Sequence, residues 1–153
     1  MSRRVIIKFG GAALSTGENV KKAAEMVKES GYQEMVIVVS AMGKTTDHLV
    51  KSLSPLEKID DRDYSQVVSM GERISARVFS TAFKSIGVES TYFDPEQERW
   101  PVITDSKFRR ANPDLQETRK RVKRHVEKLL GECAPVICGF LGKDREGHIT
   151  TLG

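Results

Sequence analysis

Val5-Ile6-Ile7-Lys8-Phe9-Gly10-Gly11 is the stretch that decides the fold. It is short, β-branched and apolar, and it runs into paired glycines, so residues 4–9 read as a buried strand ending in a tight turn. Met35-Val36-Ile37-Val38-Val39-Ser40 repeats the pattern. Such near-continuous apolar runs belong to a parallel sheet covered on both faces. Between the two, Ser15-Thr16-Gly17-Glu18 has the form of a capping box. The helix it opens puts Val20, Ala23, Ala24 and Val27 on one face and ends at Gly31.

The pattern continues outward from this strand–helix–strand unit. Residues 44–53 read as a short helix and 54–61 as a connection. Residues 62–86 read as a helix that Gly71 can interrupt, with Val78, Phe79, Ala82, Phe83 and Ile86 as its apolar stripe. A third strand is expected at 88–94, then irregular chain or a short hairpin over 95–111. Asn112-Pro113 reads as a helix start with the asparagine as cap, and Leu115, Thr118, Val122, Val126 and Leu129 share the face that follows, up to Gly131. Residues 135–141 make a fourth strand, Asp144-Arg145-Glu146-Gly147 a turn, and 148–152 the return arm of a hairpin. This alternation predicts a three-layer α/β/α sandwich with a mostly parallel sheet.

Composition narrows the class. The 153 residues are 39% hydrophobic and 30% charged with a net charge of +4, which suits one globular domain and favours anionic ligands mildly. Lys8 interrupts the only apolar stretch near the start, so no signal peptide is expected, and no run approaches membrane-spanning length. Cys133, Cys138 and the three histidines have no metal-ligand spacing, so no metal site is expected, and a reduced, cytoplasmic setting is the simplest one. Arg119-Lys120-Arg121 and Lys123-Arg124 read as a solvated helix face, and His125 as a packed residue. Trp100 and the scattered tyrosines form no stacking array for nucleic acid.

Three places can carry chemistry. Lys8, Gly10 and Gly11 stand at the carboxyl end of the first strand, where open α/β sheets bind ligands. Glycines there let backbone N–H groups approach an anion, and a lysine neutralises a phosphoryl group in transfer; a plain turn with a solvated lysine is the competing reading. Gly43-Lys44-Thr45 is not a Walker loop, because Val38 stands where that loop needs glycine. The segment Ser40 to Thr46 is instead a polar loop whose hydroxyls can hold a carboxylate or phosphate, or a helix start capped by threonine. Glu72 closes Ser69-Met70-Gly71-Glu72, which reads either as a capping box or as a carboxylate for a substrate ammonium.

Taken in order, Lys8-Phe9-Gly10-Gly11, Val39-Ser40-Ala41-Met42-Gly43-Lys44-Thr45-Thr46, Ser69-Met70-Gly71-Glu72, Gly139-Phe140-Leu141-Gly142 and Thr150-Thr151-Leu152-Gly153 resemble the aspartate kinases of the amino acid kinase family. The resemblance spans essentially the whole chain. It implies ATP-dependent phosphorylation of the L-aspartate β-carboxylate, with Mg²⁺ carried in by the nucleotide. It implies that Lys8 stabilises the transferred phosphoryl group and that Gly10, Gly11 and Ala12 line the phosphate site. Thr46 and Glu72 match positions that hold aspartate, and Ser40 and Phe140 match less closely. Two departures stand out. The family usually has Thr-Ser after the paired glycines, where this chain has Ala12-Ala13. It also continues beyond Thr-Thr-Leu-Gly with Arg-Gly-Gly-Ser-Asp and a nucleotide-binding half. The expectation is therefore an incomplete amino acid kinase-like fold: residues 1–153 as the N-terminal, substrate-binding part, inactive alone. Self-association, or association with the missing C-terminal half, is expected, because half of a parallel sheet exposes an edge and an apolar face. The alternatives are a non-catalytic binding or regulatory module, and a related kinase for another carboxylate, carbamate or phosphate.

Overall fold

The computed structural model describes residues 3–153. Its centre is a four-stranded sheet of β1 (Arg4–Phe9), β2 (Glu34–Val39), β3 (Ser90–Phe93) and β4 (Ala134–Cys138), in the order β1-β2-β4-β3. Every neighbouring pair is parallel, with Phe9 level with Val39, Val39 with Cys138, and Phe93 with Ile137. All four strands therefore end at one edge. Helix α1 (Gly17–Glu29) joins β1 to β2; α2 (Thr45–Leu53), α3 (Asp61–Val68) and α4 (Met70–Ser85) lie between β2 and β3; α5 (Leu115–Arg121) lies between β3 and β4.

Strand order decides which face each helix covers. From β1 to β2 and from β2 to β3 the chain steps across the sheet in one direction, and from β3 to β4 it steps back. Right-handed crossovers put the first two connections on one face and the third on the other. Contacts agree with this. Phe9 lies against Phe79 of α4 with ring centroids 5.3 Å apart, and Phe79 meets Phe83 edge-on at 5.0 Å. Val20, Ala23, Ala24 and Val27 of α1 complete that core with Ile37, Val39 and Val136. On the opposite face Val122 and Val126, just past α5, line a groove with Ile6 and Val36.

The second face is thinner than the apolar strands led us to expect. Ile6 on β1 is 76% exposed, and Lys8 beside it is exposed too. The outer side of β1 has no partner strand among the described residues. A hairpin of β5 (Leu141–Lys143) and β6 (Ile149–Thr151) extends the fold beyond β4. It is tied to the preceding loop by Thr104 N–H to Lys143 O at 2.9 Å and Ala111 N–H to Thr151 O at 2.9 Å. Trp100, fully buried, anchors that loop by donating its indole N–H to Val102 O at 2.9 Å. No helix among the described residues is long and apolar enough to cross a membrane.

Several local expectations are corrected. Thr16, not Ser15, caps α1, accepting from Asn19 N–H, while Glu18 turns outward to Lys22. The helix expected over 62–86 breaks before Gly71, at Ser69. Asp114, not Asn112, caps α5, because Pro113 is held in a bridge to Thr104 and the helix starts only afterwards. Leu115, expected on the buried face, is exposed as a result. The stretch expected as one helix to Gly131 passes through a π turn at Val122–Val126 and a 3-10 turn at Glu127–Leu129.

Candidate active site

Loops leaving β1, β2 and β4 meet at the carboxyl edge of the sheet, held by backbone bonds. Ser40 N–H donates to Phe9 O at 3.0 Å, Gly43 N–H to Gly11 O at 2.9 Å, and Gly139 N–H to Val39 O at 2.8 Å. The paired glycines divide the work. A Cβ at Gly11 would lie 2.8 Å from Ala41 O and 3.0 Å from Gly43 O, so Gly11 exists to let two loops touch. A Cβ at Gly10 would meet nothing within 4 Å, so open space stands beside the backbone there. Ala12 opens a short 3-10 turn, Ala12–Leu14, and both it and Ala13 are exposed.

Glu72 sits in the first turn of α4 and is 4% exposed. The capping-box reading fails: Ser69 makes no capping bond and donates its hydroxyl to Gln66 O at 2.7 Å. Glu72 instead faces the loop after β2. Its Oε1 accepts a long, weak bond from Ala41 N–H at 3.4 Å, and its Oε2 is buried with no partner. Burial pushes the Glu72 carboxyl up from its ordinary value, and backbone hydrogen bonds, that of Ala41 included, only partly offset it. Thr46 stands alongside. A Cβ at Gly71 would lie 2.7 Å from the Ala41 methyl and 3.3 Å from Thr46 Oγ1, so this glycine lets α4 press against the loop. Thr45 donates its hydroxyl to Met42 O at 2.6 Å and serves the loop, whereas the Thr46 hydroxyl has no partner among the described residues. The helix is not capped by threonine: Lys44 is the cap residue and makes no side-chain bond.

The structure thus brings Thr46, Gly71 and Glu72 together around Ala41, with Ser40 next in the chain. It does not join Lys8 to them by any hydrogen bond or ion pair. Lys8 lies one residue before the end of β1, on the face turned away from α4, exposed and without a charged partner among the described residues. Phe140 turns the chain out of β4 with φ +64, the one non-glycine residue described with a positive φ, and is 45% exposed. Holding a bulky residue there costs on the order of 1–3 kcal/mol, and such strain gathers at ligand sites.

Over residues 3–153 the chain matches the model of the amino acid kinase family. The chain belongs to that family. Among curated proteins it is 33% identical over 152 residues to the aspartate kinase Ask_LysC of Stutzerimonas stutzeri, covering 97% of this chain and 35% of that one. The fold matches E. coli aspartokinase III, solved with aspartate and ADP, at a TM-score of 0.83 and 19% identity, over 99% of this chain and 44% of that one. Aspartate kinase from Synechocystis matches at 0.71 and 27% identity, over 99% and 24%. The chain spans about a third of the length of the curated relatives it matches.

Helix α4 of this amino acid kinase chain also carries a charge cluster whose pairing sequence reasoning did not foresee. Asp94, at the end of β3, is buried and receives Arg73 Nε at 2.8 Å and Arg77 Nη1 at 2.7 Å, while Arg73 also reaches Glu96 at 2.7 Å. Burial alone would raise the Asp94 carboxyl; hydrogen bonds from Arg73, Glu96 N–H and Arg77 outweigh it and hold the group below the usual carboxylate range. The bridge ties the start of α4 to the end of β3. Its signal was an aspartate closing an apolar strand, Phe93-Asp94, but nothing local marked Arg73 as its partner. Burial pushes the Cys138 thiol up, and its Sγ lies 3.3 Å from Phe93 O, so it packs as a small apolar group. Asp144, Glu146 and His148 gather in the β5–β6 turn, but Asp144 is already filled by Ser106, His148 and two backbone N–H groups. That cluster locks the turn.

Proposed function

We propose that the chain is the substrate-binding part of an aspartate kinase, the N-terminal portion of a single amino acid kinase domain. ATP transfers its γ-phosphoryl group to the β-carboxylate of L-aspartate: a carboxylate oxygen bonds to phosphorus, the bridging P–O bond breaks, and ADP leaves with the electron pair. Mg²⁺ enters with the nucleotide as part of the substrate. The single observation that carries the reading is Glu72, a buried carboxylate with one oxygen unpartnered at the ligand-bearing edge. Such a group needs a cation, and the ammonium of an amino acid supplies it.

In this reading Lys8 neutralises charge on the phosphoryl group as it moves. Gly10, with open space beside it, admits the phosphates, and Gly11 and Ala12 complete the turn that lines them. The hydroxyls of Thr46 and Ser40 receive aspartate's carboxylates, and Phe140 closes the substrate side from the β4–β5 turn. Aspartate bound with ADP to the same fold in E. coli aspartokinase III supports the substrate pair. A cytoplasmic enzyme without nucleic-acid or membrane partners fits, working as a homo-oligomer or joined to a C-terminal half. The 153 residues alone turn over negligibly.

The test is the product of the complete reading frame, incubated with ATP and L-aspartate and trapped with hydroxylamine. Aspartate-dependent ADP release matched by aspartyl hydroxamate is the expected result. ADP release that ignores aspartate and yields no hydroxamate refutes the proposal.

A further inference from the structure

Two buried side-chain polar atoms among the described residues lack any partner: Glu72 Oε2 and Ser75 Oγ. Native interiors rarely leave such atoms unpaired, and each orphan calls for a cause. Here both lie on α4, one turn apart on its buried face, with Ser75 1% exposed. Glu72 and Ser75 stand three residues apart, the spacing that stacks side chains on one face of a helix. Serines inside helices ordinarily bond a carbonyl one turn back. Ser52 of α2 does so with His48 O at 2.8 Å, whereas Ser75 does not.

We propose that Ser75 is a substrate-positioning residue, whose hydroxyl accepts a hydrogen bond from the same primary ammonium that Glu72 neutralises. A primary ammonium has three N–H donors, and one carboxylate oxygen satisfies one of them. Glu72 Oε1 has only the weak bond from Ala41, and Oε2 and the Ser75 oxygen are the two buried acceptors on this helix face with no donor of their own. The arrangement favours an α-amino acid over the same diacid lacking its amino group, because without the ammonium both acceptors stay buried and unpaired. The inference rests on the proposed role of Glu72 and adds a residue to it.

The experiment measures aspartate kinetics and competitive inhibition by succinate, the des-amino analogue, in the complete gene product and in Ser75→Ala, Ser75→Cys and Glu72→Gln. Ser75→Ala is expected to raise KM for aspartate about 10- to 100-fold, the worth of one hydrogen bond to a charged group, with kcat within about 3-fold and the succinate inhibition constant unchanged. Ser75→Cys, which keeps the volume, is expected to do the same. Thermal stability does not fall, since the hydroxyl has no partner in the fold. An unchanged KM in Ser75→Ala with a lowered Tm overturns the inference and makes Ser75 the holder of a structural water. If Ser75 variants have no effect while Glu72→Gln raises KM, only this inference fails. If Glu72→Gln leaves KM unchanged as well, the reading of Glu72 fails with it.

Discussion

Glu72 is held where a carboxylate is uncomfortable, and this has a measurable consequence. Its folded pKa is raised, so the folded state binds more protons than the unfolded state just above the ordinary glutamate range. Stability from this group is therefore lost as pH rises through that window, and at neutral pH ionised Glu72 is a burden on the fold. Glu72→Gln is expected to raise the melting temperature at pH 7 while weakening aspartate binding; a lower Tm would mean that Glu72 holds the fold rather than the ligand. Asp94 has the opposite sign. Its folded pKa is lowered, so its contribution is present above the ordinary aspartate value and disappears as pH falls through the folded one. Asp94→Ala strips Arg73 of its buried partner and is expected to cost about 3 kcal/mol in urea unfolding at pH 7. A loss below about 1 kcal/mol contradicts the bridge as an anchor of α4.

Elements place these residues through close approach. Helix α4 reaches the loop after β2 only because position 71 has no Cβ, which would lie 2.7 Å from the Ala41 methyl. Gly71→Ala is expected to push α4 and the loop apart, raising KM for aspartate at least 10-fold although it removes no contact; unaltered kinetics would show that the helix does not set the spacing. This also explains what was legible in the sequence. Periodicity revealed the α1 stripe and the positions of β1 and β2, but not that Ile6 and Lys8 of β1 are exposed, since the cover over that face comes from distant parts of the chain. It left Glu72 undecided, since Ser-x-x-Glu has the same spelling whether the serine caps or not. The outcome depended on Ser69 turning to Gln66 and on Ala41 arriving from another loop. Asn112-Pro113 misled for a similar reason: a bridge to Thr104, nine residues earlier, claimed the proline before the helix began.

The molecule as a whole has one well-covered face and one open face. Ile6 lies 76% exposed beside the free side of β1, with Val36 and Val126 lining the groove next to it. An apolar strand at an open edge invites pairing. The 153-residue chain, made alone, is expected to sediment well above 17.1 kDa, and Ile6→Lys to shift it toward that mass. A stable monomer at micromolar concentration contradicts this view of the edge.

The proposed function divides labour between Lys8, one residue before the end of β1, and Glu72, in the first turn of α4. The direct measurement is the steady-state kinetics of the complete gene product beside Lys8→Ala and Glu72→Ala. Lys8→Ala is expected to lower kcat on the order of 10³-fold with little change in KM for aspartate, and Glu72→Ala to act chiefly on that KM. Full activity in Lys8→Ala, or equal losses of kcat alone in both variants, contradicts it.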